Sequence, residues 1–141
     1  NATRRLVLRG VDGIVFVADS LKVRHKDNIW SLKDLNNNLI AQNRRISKIP
    51  FVFQYNKQDL PEKGMPIIPV EKMDQCLNRQ IKAPSFSASA LTGDNVGITL
   101  LNCIKLTVRD LILSSGVKQN EQTYPYRESK RSRNLSVNGL A

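Results

Sequence analysis

The chain has 141 residues, 40% of them hydrophobic, enough for one domain with a real core and too apolar for a wholly disordered chain. Lys and Arg number 22 against 12 Asp and Glu, so the formal charge is +10, but it is spread along the chain and argues for solubility more than for nucleic-acid binding. Two cysteines, Cys76 and Cys103, without a C-x-x-C pair, and one histidine, His25, leave almost no ligands for a zinc cluster or a disulfide framework. That cysteine usage suits a reducing compartment, so a cytoplasmic location is expected. The longest apolar run, Ile14 to Ala18, is five residues, where a transmembrane helix needs roughly 20. Asn1 to Gly10 is basic, lacks a continuous apolar centre and does not read as a secretory signal.

In chain order, Thr3 to Arg9 reads as the closing turns of a helix, with Gly10 supplying a left-handed residue after it. Asp12-Gly13 marks a turn, and Ile14-Val15-Phe16-Val17-Ala18 is the β-branched run of a strand buried on both faces of a parallel sheet. From Lys26 to Ile46, Ile29, Leu32, Leu35, Leu39 and Ile40 fall near helical spacing, and Asp27 or Asn28 is the expected cap. Pro50 then opens a second strand, Phe51 to Tyr55. Asp59 to Pro69, with three prolines and Gly64, is a loop. Val70 to Asn78 forms a short crossover helix, and Ser85 to Ala88 a third strand that rests mainly on its position between two helices. Thr92-Gly93-Asp94 is the expected cap of a last helix whose stripe is Val96, Leu100, Leu101, Ile104, Val108, Leu111 and Ile112. The folded unit therefore spans 1–113, and 114–141 is a polar, basic tail with too few aliphatic residues to order itself. This alternation is a doubly wound α/β fold: three parallel strands with crossover helices.

Open parallel sheets bind ligands outside the carboxyl ends of their strands. The second strand ends in Asn56-Lys57-Gln58-Asp59, and the third runs into Ser89-Ala90-Leu91. The Asp59 carboxylate can accept from the N1–H and the exocyclic amine of guanine, a pairing that adenine does not offer. Asn56 either ties the neighbouring loop or meets the base edge, the Lys57 stem can lie along the purine face, and Ser89, Ala90 and Leu91 can present backbone N–H groups to the guanine carbonyl. Three fixed letters are common in loops. Placed after a buried strand, with S-A-S-A-L-T-G-D-N-V at the end of the next strand, they favour a guanine site.

These residues resemble the Ras-like small GTPases, and within them most closely those of bacterial gliding motility. Gly10 to Ser20 resembles the family's fourth strand, Phe53 to Pro61 its N-K-x-D strand and loop, and Ser87 to Val96 its last guanine motif, with Ser87 where the wider family has glutamate. The match covers about Asn1 to Leu113. The resemblance implies Ras-like topology, guanine specificity from Asn56, Lys57 and Asp59, backbone support from Ser89, Ala90 and Leu91, and GTP or GDP as ligand. It also implies Mg2+ in the intact parent and a roadblock-fold activating protein as partner.

No G-x-x-x-x-G-K-[ST] occurs in the sequence, so the expected architecture is a partial P-loop NTPase fold lacking the first strand and the P-loop. With neither phosphate nor magnesium ligands, the chain by itself is expected to be inactive as a GTPase. The alternative is a non-catalytic α/β module that binds a protein partner, and a polyanion-binding role is the least favoured.

Overall fold

In the computed structural model, residues 2–116 are described. The tail expected from residue 114 lies, past residue 116, outside the described residues. Helix α1 (Ala2–Val7) is followed by strand β1 (Ile14–Asp19), helix α2 (His25–Ile40), strand β2 (Phe51–Asn56), helix α3 (Val70–Met73), strand β3 (Ser85–Ser87) and helix α4 (Val96–Ser114). The described strands form one parallel sheet in the order β1-β2-β3, with Ile14 opposite Phe51 at one end of the first pair and Asp19 opposite Asn56 at the other. The fold is α/β, as the alternation of elements predicts.

The period-two alternation of β2 decides what covers the sheet. Phe51, Phe53 and Tyr55 belong to the core cluster with Leu39 of α2 and with Met73 and Leu77 from the α3 segment. Phe16 joins this aromatic row, 5.6 Å from Phe53 between ring centroids and edge-on to it. Gln54 belongs to the opposite face, where its Nε2 donates to Thr99 Oγ1 of α4 at 3.0 Å. Helices thus pack on both faces, and β2 is buried throughout.

Four expectations need correction. Helix α2 stops at Ile40, because the chain turns at Asn43, which is left-handed (φ 58), and 46–48 is a separate turn of 3₁₀ helix. Neither Asp27 nor Asn28 caps α2: the N-cap is Arg24, without a side-chain capping bond, and Asn28 is buried in the first turn, bonded to the backbone of β1. Helix α4 begins at a left-handed Asn95 with no side-chain cap, while Thr92 and Asp94 bond to each other. Strand β1 is only partly covered on the face that α4 crosses, and Val17 is 54% exposed.

The apolar stripe of α4 is present but does not lie on the sheet. Leu100, Leu101, Ile104, Val108 and Leu111 are exposed, whereas Thr99 and Cys103 are buried. Thr99, Cys103 and Thr107 recur every fourth residue on one face. Small side chains there let the helix approach closely, and a Cβ added at Gly13 would meet Thr107 Oγ1.

The crossover through α3 ends in a wider turn, Asp74–Asn78, of π type. It places Asp74 where Oδ1 accepts from the Tyr55 hydroxyl at 2.6 Å and from Asn78 Nδ2 at 3.0 Å, while Oδ2 accepts from Ser85 Oγ at 2.9 Å. Asn78 in turn holds both backbone groups of Ala83, just before β3. Burial, reinforced by the hydrogen bond to Asp74 and by its charge, pushes the Tyr55 phenol far above its ordinary range.

Candidate guanine-recognition site at the strand ends

Parallel pairing in register brings the carboxyl ends of β1, β2 and β3 to one rim. Asn56 is the last residue of β2, and Lys57 follows in the left-handed conformation (φ 71), an unusual state for a side chain with a Cβ. Local bonds hold it. Asn56 Oδ1 accepts from Lys57 N–H at 2.8 Å, Leu60 N–H reaches Lys57 O at 3.2 Å, and Gln58 N–H donates to Ala88 O at 3.1 Å.

The same Asn56 Oδ1 accepts from Ala90 N–H at 2.8 Å, so one side-chain oxygen joins the two loops that sequence reasoning paired. Asp59 makes the second tie. Its Oδ1 accepts from the Ser89 hydroxyl at 2.7 Å, and Lys63 Nζ lies 3.5 Å from Oδ2. The Ser89 hydrogen bond, helped by Lys63 and opposed by partial burial, holds the Asp59 carboxyl below its ordinary value. It is therefore an ionised acceptor at neutral pH.

Of the three backbone donors expected from Ser89 to Leu91, two are engaged within the protein: Ser89 N–H donates to Asp94 O at 3.1 Å and Ala90 N–H to Asn56. Leu91 N–H has no partner among the described residues, and the Leu91 side chain is exposed. Lys57 does not stand free beside the site: its ammonium lies 2.7 Å from Asp19 Oδ2. Asp19, Ser20 and Asn28 thus lie beside the candidate site, although the sequence alone assigns them no part in it. The polar end of the first strand was the available signal.

A groove of about 450 Å³ runs along the open edge of β1, lined by Val7, Leu8, Val15, Val17 and Leu35 among others, away from the Asp59–Ser89 contact. Among the described residues no group of three or more His, Cys, Asp or Glu could hold a metal ion, and no helix is long and apolar enough to cross a membrane. The described residues therefore offer no such cluster for Mg2+.

Over 111 residues, 79% of this chain, the sequence is 44% identical to the mutual gliding-motility protein MglA of Myxococcus xanthus (strain DK1622). The chain belongs to the MglA-like, Ras-like small GTPases. No family model matches it. The match spans 54% of MglA, so the chain corresponds to about half of that relative. The three parallel strands with helices on both faces agree with part of a Ras-like fold.

Proposed function

We propose that this chain carries the guanine-recognition part of an MglA-like molecular switch, with GTP or GDP as ligand. The observation that supports it best is the joining of the two loops: Asn56 to Ala90 and Asp59 to Ser89, at the ends of adjacent parallel strands. An ionised Asp59 only accepts, which suits the N1–H and exocyclic amine of guanine and opposes the N1 lone pair of adenine. In a protein of MglA's full length, nucleotide hydrolysis with Mg2+ would reset the switch, in the cytoplasm and with a roadblock-fold activating protein. This chain by itself should bind GTP weakly and not hydrolyse it, since most affinity in such sites comes from phosphate and magnesium contacts.

The test is a titration of the 141-residue chain with guanosine, xanthosine and adenosine, followed by backbone amide NMR. Guanosine should shift the amides of 56–59 and 89–91, and adenosine should not. Asp59→Asn should reverse the order of guanosine and xanthosine, because an amide can donate to the carbonyl that replaces the guanine amine. Unchanged preference for guanosine in that variant refutes the assignment. A second reading, a non-catalytic partner-binding module, is favoured only by the exposed aliphatic face of α4. It predicts nucleoside-insensitive spectra.

A further inference from the structure

At the end of β1, two residues outside the N-K-x-D sequence reach the Asn56–Asp59 loop. Asp19 Oδ2 accepts from Lys57 Nζ at 2.7 Å. Ser20 is fully buried, accepts at Oγ from Gln58 Nε2 at 2.7 Å and donates its N–H to Asn56 O at 3.1 Å. Asp19 is itself fixed from three sides. Its N–H donates to Asn28 Oδ1 at 3.1 Å, its carbonyl accepts from Asn28 Nδ2 at 2.7 Å, and its Oδ1 accepts from Leu21 N–H at 3.0 Å. The carboxylate oxygen left over is the one that meets the lysine.

A free lysine stem samples many rotamers, and a ligand that rests on it must order it at the moment of binding. A stem tied at both ends, by the backbone and by an ion pair, is ordered beforehand. We propose that Asp19, held by Asn28, is a positioning residue for base recognition: it anchors the Lys57 ammonium so that the aliphatic stem is preset as a platform for the purine face. This inference rests on the guanine reading above. Asp59 sets which purine is preferred, and the Asp19–Lys57 pair sets how well any purine with the matching edge is held.

The two roles separate in a titration of the 141-residue chain with guanosine and inosine, with adenosine as control. Inosine lacks the exocyclic amine, so the guanosine-to-inosine ratio reports Asp59, while their shared affinity reports the platform. The Lys57 and Asp19 side chains are 43% and 23% exposed, which places the pair among partly screened ion pairs. Asp19→Asn should therefore weaken both nucleosides by the same factor, about fivefold, with their ratio unchanged. Lys57→Met, which keeps an apolar stem without the ammonium, should do the same, and the double variant should be no weaker than either single one.

Wild-type binding of guanosine no tighter than adenosine would remove the guanine reading and this inference together. Wild-type preference for guanosine with undiminished affinity in Asp19→Asn would overturn the positioning role alone. So would a fall in the guanosine-to-inosine ratio in Asp19→Asn, because it would mean that Asp59 had moved with the loop. Should Asp19→Asn not fold, Lys57→Met carries the test: parental affinity for both nucleosides in that variant overturns the proposal.

Discussion

Replacing Asn56 by alanine tests whether one side-chain oxygen holds the loops after β2 and β3 together. Its Oδ1 accepts from Lys57 N–H and from Ala90 N–H, both at 2.8 Å. Ala90 is exposed and Lys57 half-buried, so water replaces the lost acceptor and no desolvated donor is stranded. The expected loss is then the net worth of two ordinary hydrogen bonds, about 1 kcal/mol each and about 2 kcal/mol together. That corresponds to a roughly 30-fold rise in the open fraction of the loop pair. Native-state hydrogen exchange reads it directly. The Ala90 amide should lose about 30-fold in protection. The Ala88 amide, which donates to Tyr55 O in the sheet ladder at 2.8 Å, should change little. Asn56→Asp keeps an acceptor at the same place and should retain most of the protection. If Ala90 exchanges as slowly in Asn56→Ala as in the parent chain, the loops are held by something else and the tie described here is not the operative one.

Gly13→Ala should lower the melting temperature, by an overpacking cost of about 1–3 kcal/mol, because the new methyl collides with Thr107 Oγ1 where α4 crosses the start of β1. Thr107→Ala in the same chain should recover part of the loss, and absence of rescue would place the strain elsewhere. The Tyr55 phenol has its folded-state pKa raised far above the unfolded value of 10.0. Its contribution to stability is therefore complete below pH 10 and declines as the pH rises above it, by up to about 1.4 kcal/mol per pH unit. Urea midpoints of Tyr55→Phe should lack that part of the alkaline slope, and identical slopes would mean that the phenol ionises in the folded state.

The strands are legible in the sequence because Ile14–Ala18 and Phe51–Tyr55 are dominated by β-branched and aromatic residues, a composition that suits a sheet. The two site loops are legible because topology places strand ends on one rim. The orientation of α4 is not. Helical spacing announces an apolar stripe, but Thr99 and Thr107 satisfy their own hydroxyls on the carbonyls of Asn95 and Cys103, so these small residues can face the sheet at low polar cost. The caps fail for a related reason: capping residues such as Asn28 and Asp94 have better partners nearby, the backbone of Asp19 and the Thr92 hydroxyl. Asp19 is missed because its meaning lies in register. Nothing in a linear reading sets it opposite Asn56.

The same register has a consequence for the order in which the molecule comes together. Parallel neighbours cannot be joined by a tight turn, so β1 meets β2 only after α2 and its flanking segments have closed into a long loop. Ser89 and Ala90 arrive later still, across a second crossover. A chain emerging from the ribosome therefore carries its N-K-x-D sequence well before the second loop of the proposed base site is available. A folding intermediate that pairs β1 with β2 has Asp19 beside Lys57, yet its Asp59 and Asn56 still lack Ser89 and Ala90. A guanine nucleotide bound as proposed would then add stability only to the species that forms last, acting on the yield of folding rather than on its early rate.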